Sequence, residues 1–256
     1  AINPRTALVS LSWANALTGV INPIDEIAKL CEERGIHLHV DASHVLGKLF
    51  IDWTKPEAHF ITFNGDNLHA PKGTGGLYIR SDAKCSPFIL GGIEQAGHRG
   101  GSCNIAGLVA LGEAAREAID SRDFTCTEIA RLRDKLEKGL IATIPGAESF
   151  FRQQERLPNC FSMAFPGIIN EALLYALNRK NVYASIGGGS LQQIGLVLMA
   201  CGIPESIANS SLSFALSRET TEDEIDRAID IIADCVKRLR KVSQYIEFKN
   251  DTTDKA

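Results

Sequence analysis

Short apolar runs of strand length alternate with helical periodicity through the first part of the chain. Ala7-Leu8-Val9-Ser10-Leu11-Ser12 predicts a buried strand. Ile24, Ile27, Ala28 and Cys31 then recur at helical spacing, with Asn22 as the expected cap, Pro23 in the first helical position and Gly35 as the stop. Ile36-His37-Leu38-His39-Val40-Asp41 reads as a second strand ending in an acid, and 60–63 and 76–79 as two more. Strand, helix and strand in this order, with short connections, predict a largely parallel sheet covered by helices. Functional groups in such sheets gather at the carboxyl ends of the strands. Asp41 and the polar turn 64–67 both fall there.

Beyond residue 100 the pattern becomes mainly helical. A helix is predicted over 104–121 and another over 125–144, the latter with Ile129, Leu132, Leu136 and Leu140 in register. After Pro145-Gly146 a strand is expected at 159–165, a helix at 169–178, a flexible loop at Gly187-Gly188-Gly189, a helix at 192–200 and a strand at 211–216. A long amphipathic helix at 222–242 has Thr220 or Thr221 as its cap, acids early and bases late. These boundaries suggest a large domain over 1–125, a linking helix over 126–145, a smaller α+β domain over 146–248, and a polar, disordered tail over 249–256.

Composition narrows the class. Hydrophobic residues make up 45% and charged residues 23%, with a formal net charge of -4. Without a basic patch or polybasic run, nothing favours a nucleic-acid partner, and no apolar stretch reaches membrane-spanning length. Ala1-Ile2-Asn3-Pro4-Arg5 lacks the apolar core of a signal peptide. The 7 cysteines have no C-x-x-C spacing. They predict neither a disulfide framework nor a zinc site, and they suit a reducing cytoplasm.

With Ala7-Leu8-Val9-Ser10, Asp41-Ala42-Ser43-His44, Pro71-Lys72-Gly73, Gly91-Gly92 and Arg99-Gly100-Gly101-Ser102 in order, the chain resembles the class V aminotransferases. Within them it is most similar to the cysteine desulfurases of the NifS/IscS type, from about residue 5 to about residue 245. The resemblance implies an α/β, fold-type-I transferase that uses pyridoxal phosphate (PLP), built as a homodimer. Family members carry an opening third that this chain is expected to lack, through cleavage, a split enzyme or its absence from the gene. By the same resemblance, Asp41 pairs with the cofactor's pyridine nitrogen and His44 with its phenolic oxygen. Asn15 lies near that oxygen and the substrate carboxylate. Ser102 donates to the phosphate of the neighbouring subunit's cofactor, and Arg99 belongs to the same loop.

The departures from that family are consistent with one another. Where its strand ends in Ser-x-His-Lys, this chain has Asn64, Gly65, Asp66 and Asn67. Asn67 replaces the Schiff-base lysine, and an amide nitrogen cannot attack an aldehyde. Asp66 puts an anion where the phosphate is expected. Ser213 replaces the arginine that clamps the substrate carboxylate, and a hydroxyl has no charged fork. Gly189 stands where the sulfur-accepting cysteine is expected, in a shortened loop, and offers no thiolate. Together these predict a catalytically silent homologue, a pseudoenzyme acting through proteins of sulfur transfer or iron–sulfur assembly, with PLP absent or held non-covalently. The alternative is a working PLP-dependent desulfurase, lyase or aminotransferase that uses non-covalent PLP or Lys72 as a surrogate lysine. Cys103 as a displaced sulfur acceptor competes with a plain structural thiol, and Trp13 as a cofactor wall competes with core packing.

Overall fold

A computed structural model describes residues 2–52, 57–189 and 192–253, and beyond Ser243 only the backbone. The chain divides into two compact units, one of Ala1–Asn15 with Ile21–Asp123, the other of Ala16–Val20 with Phe124–Ala256.

The first unit is built on a four-stranded sheet in the order β1-β2-β3-β4, with β1 Leu8–Ser12, β2 His37–Asp41, β3 Phe60–Asn64 and β4 Gly75–Ile79. β1 and β3 run parallel to β2, with Ser12 opposite Asp41 and Asp41 opposite Thr62. β4 returns antiparallel to β3, placing Gly75 opposite Asn64. This return is the one antiparallel pairing in an otherwise parallel sheet. The connection from 65 to 74 is too short to carry the chain back across the sheet, so β4 can only reverse direction. Leu38, Val40 and Ile61 of the central strands are buried.

Helix α1 (Ile24–Glu33) buries Ile24, Ala28 and Cys31. Gly35 adopts a positive φ of 63° just beyond it, the left-handed exit that suits glycine. The expected cap is not made. Pro23 occupies the cap position without a side-chain bond, while Asn22 turns its Nδ2 to the Ser12 carbonyl at 2.7 Å. The carboxyl end of β1 thus competes successfully for that side chain. Helix α2 (Ile105–Asp120) is capped by Asn104, whose Oδ1 accepts from the Gly107 N–H at 3.0 Å.

The second unit holds an antiparallel sheet in the order β5-β6-β9, formed by Glu148–Ser149, Cys160–Ala164 and Ser211–Ala215. β6 is buried along its whole length. Phe161 stacks on Phe214 at 5.2 Å, and Leu132, Leu136 and Leu140 of helix Ala130–Thr143 close over this core. That helix, expected in a link, packs inside this unit behind a π-helical turn at Thr125–Ile129. The closing helix, Glu222–Thr253, starts with a capping box. The Glu224 side chain accepts from the Thr221 N–H at 2.8 Å, and Thr221 Oγ1 accepts from the Glu224 N–H at 3.3 Å. The helix continues well past residue 242, so the bases expected at its end fall inside it. Of the expected disordered tail, 249–253 are helical and 254–256 lie outside the described residues.

Gly187–Gly188 pairs with Gln192–Gln193 as strands β7 and β8. A short hairpin therefore stands where an open loop was expected, and the following helix begins at Ile194. Ser190 and Leu191 lie outside the described residues.

Candidate functional site

The carboxyl ends of β2 and β3 are joined by one hydroxyl. Ser43 donates its N–H to Asp41 Oδ1 at 2.9 Å and its Oγ–H to the same oxygen at 2.5 Å. Its Oγ also accepts from the Asn64 N–H at 3.2 Å. Asp41 is thereby fixed as a half-buried carboxylate at the end of its strand. Its carbonyl accepts from the Trp13 N–H at 2.9 Å, which brings the chain leading to Asn15 alongside.

From Asn64 the chain passes into a single 3-10 turn, Asp66–Leu68. Gly65 is required there, because a Cβ at this position would sit 2.1 Å from Thr74 Oγ1. The Asn64 Oδ1 accepts from both the Nδ2 of Asn67, at 2.9 Å, and its N–H, at 3.3 Å. The Asn67 amide is thus folded back on the strand end. Lys72 is exposed a few residues further on.

His44 is half-buried. Burial pushes its pKa below the ordinary value, and Lys48 adds to that effect, while Asp41 opposes it. The imidazole is therefore held neutral near a carboxylate at neutral pH. Ser102 is exposed in the loop ahead of α2 and takes no part in the bonds joining Asp41, Ser43, Asn64 and Asn67.

Two of the positions where the resemblance leads one to expect a different residue, Ser213 and Gly189, belong to the second unit. Ser213 is only 3% exposed, and its backbone exchanges hydrogen bonds with Ser185 at 2.8 and 2.9 Å. Its Oγ lies 3.9 Å from Cys160 Sγ. Gly189 has a φ of +61°, and none of the described residues comes within 4 Å of where its Cβ would be. A side chain there meets backbone strain.

Sequence reasoning missed Ser43 and Lys48. The signal for Ser43 was the Asp-x-Ser spacing, which lets an aspartate accept from the backbone two residues on.

The sheet order, the strand-end acid and the loop sequence define a class V aminotransferase. The Aminotransferase class-V family model matches residues 1–228, and the chain belongs to that family. Within it the chain is a homologue of cysteine desulfurases. It is 41% identical over 243 residues to the cysteine desulfurase NifS of Azotobacter vinelandii, covering 93% of this chain and 60% of that protein. It is 39% identical over 251 residues to a cysteine desulfurase of Trichormus azollae, covering 96% of this chain and 62% of the relative. Among solved structures, a NifS-like protein superposes with a TM-score of 0.85 at 29% identity, covering 93% of this chain and 63% of that one. The NifS-like protein from Rickettsia africae gives 0.83 at 26% identity, covering 92% and 63%. The chain spans about three fifths of the length of the curated relatives it matches.

The family's PLP fits this donor set only in part. Asp41 is a preorganised anion suited to a protonated ring nitrogen, and His44 a neutral ring suited to hydrogen bonding. The Asn67 amide, engaged with Asn64, supplies no amine for a covalent link.

Proposed function

We propose that this chain is a cysteine-desulfurase homologue that does not perform the family's chemistry and acts through protein interaction in sulfur transfer or iron–sulfur assembly. The observation that carries this reading is the Asn67 amide folded onto Asn64 where the resemblance calls for a lysine. Ser213 without a cationic fork and Gly189 without a thiol support it from the second unit. The relatives are named as cysteine desulfurases, which supports sulfur chemistry, and the assembly pathway rests on the family resemblance alone. Association as a homodimer is supported by apolar side chains ahead of α2, where Phe88 is 97% and Ile93 92% exposed. Among the described residues no helix is long and apolar enough to cross a membrane. The cytoplasmic assignment is supported by the cysteine spacing, which contains no C-x-x-C pair.

The test is incubation with PLP, reduction with borohydride, and intact-mass measurement, beside an assay of cysteine-dependent sulfide. The expected result is no pyridoxyl adduct and no sulfide above that from free PLP. An adduct on any lysine, with sulfide release, overturns the proposal.

A second reading keeps PLP without a covalent link. It is favoured by Asp41, which Ser43 still holds in place. In that case Asp41→Ala abolishes PLP retention and Lys72→Ala does not. Loss in Lys72→Ala instead points to the surrogate lysine.

A further inference from the structure

The first unit contains a cavity of about 450 Å³ that the site above does not use. Ile61 and Phe63 project into it from one face of β3, and Tyr78 joins them from β4, opposite Ile61 in register. Leu46 closes one side, and Ala118 and Ile119 of helix α2 the other. None of Asp41, His44, Asn15, Asn67 or Ser102 lines it. Its size falls in the range of small-molecule pockets, which typically combine apolar walls with a few placed polar groups.

Arg122 is the single charged residue among the described lining residues. Its Nε is buried and makes no hydrogen bond. The nearest carboxylate oxygen, on Asp123, is 3.7 Å away, too far for one. The guanidinium lies 4.3 Å from the centre of the Phe50 ring, so one flat face is covered. The N–H donors lie in the guanidinium plane, so stacking on Phe50 offers Nε no acceptor, while the side chain as a whole is 32% exposed. A buried donor of this kind is costly unless an acceptor arrives, and a carboxylate is the acceptor whose geometry matches the fork.

We propose that this cavity binds a straight-chain carboxylate, a medium-length fatty acid. Its tail lies against Ile61, Phe63 and Ile119, and its head accepts from Arg122. The inference does not depend on the reading of Asn67. The test is calorimetric titration of the chain with dodecanoate, kept below its micelle concentration, and with dodecanol. Saturable binding of one dodecanoate is expected, with dodecanol weaker by about tenfold, the ratio one charge-assisted pair supports. Arg122→Gln should weaken dodecanoate by about the same factor and leave dodecanol unchanged. Ala115→Trp, which fills the cavity from a half-exposed position, should remove binding of both while the thermal midpoint stays near that of the parent. No saturable binding, equal binding of acid and alcohol, an unaffected Arg122→Gln variant or an unaffected Ala115→Trp variant each overturns the proposal. So does a longer cell-derived form that binds none while the 256-residue chain does, since another stretch of that protein then fills the space.

Discussion

Asn64 Oδ1 accepts twice from Asn67, at 2.9 Å from its side-chain amide and at 3.3 Å from its backbone N–H. The position where a lysine is expected is thus occupied and locally satisfied. Asn67→Lys supplies an amine next to Asp66 and gives up only the side-chain bond, a loss of about 0.5–1.5 kcal/mol. The expected outcome is a borohydride-fixed pyridoxyl adduct at position 67, located by peptide mass spectrometry, without cysteine-dependent sulfide release. Turnover in that single variant would show that Gly189 and Ser213 are not the losses they are taken to be.

His44 provides a second check, through its titration. Burial, then Lys48, hold its pKa below 6.5, and Asp41 pulls the other way. Lys48→Gln should therefore raise the His44 midpoint followed by NMR, and Asp41→Asn should lower it. A group whose folded pKa is depressed contributes stability that is present above its unfolded value, near 6.5, and lost as pH falls through the folded value. The chain should lose stability on acidification below about pH 6.5, and a His44→Gln variant should lose less of it over the same window. Equal slopes in the two proteins would remove His44 from this role.

Much of the first unit is legible in the sequence because β2 alternates buried Leu38 and Val40 with His37 and His39, and β3 carries Ile61 within an apolar run. Val40 and Ile61 announce their strands, and Asp41 marks the functional end. What was not legible depends on competition between partners distant in sequence. Asn22 resembles a helix cap, but the Ser12 carbonyl lies nearer to hand. Gly187 and Gly188 resemble a loose loop, but Gln192 and Gln193 pair with them. The Ser43 link between two strand ends appears only once β2 and β3 are adjacent. Asn67 and Ser213 stand out only through the family resemblance, since no periodicity distinguishes either from any other polar residue.

The turn that presents Asn67 depends on Gly65. Its N–H donates to the Thr74 carbonyl at 2.8 Å, and its carbonyl accepts from Leu68 and Ala70 at 2.9 and 3.0 Å. A Cβ would collide with Thr74 Oγ1 and crowd Ala70 and Leu111 at 3.1 and 3.2 Å. Gly65→Ala should cost about 1–3 kcal/mol, the range for overpacking, measured by urea denaturation. Thr74→Ala should recover part of that loss in the double variant, because it removes the closest atom. Full additivity of the two substitutions would argue against the contact.

The second unit carries a buried ion pair whose two ends are unequally replaceable. Glu137 is 3% exposed and Arg156 6%, and two bonds of 3.0 Å join them, to Oε1 and Oε2. Ser149 donates to Oε1, and Arg152 Nε lies 3.9 Å from it. Burial alone raises the Glu137 pKa, but the Arg156 fork and the Ser149 hydroxyl outweigh it and hold it below 4.5. Its contribution is present above the unfolded value and lost as pH falls through the folded one, so it appears as acid sensitivity below about pH 4.5. Arg156→Met leaves a buried carboxylate without its fork and should cost about 3–5 kcal/mol at neutral pH. Glu137→Gln with Arg156→Met removes both charges and should cost much less, because neither is left unpaired. The double variant should also show a flatter stability profile between pH 3 and 5, measured by urea denaturation across that range. If the single and double variants lose the same stability, the pair is acting as packing rather than as charge.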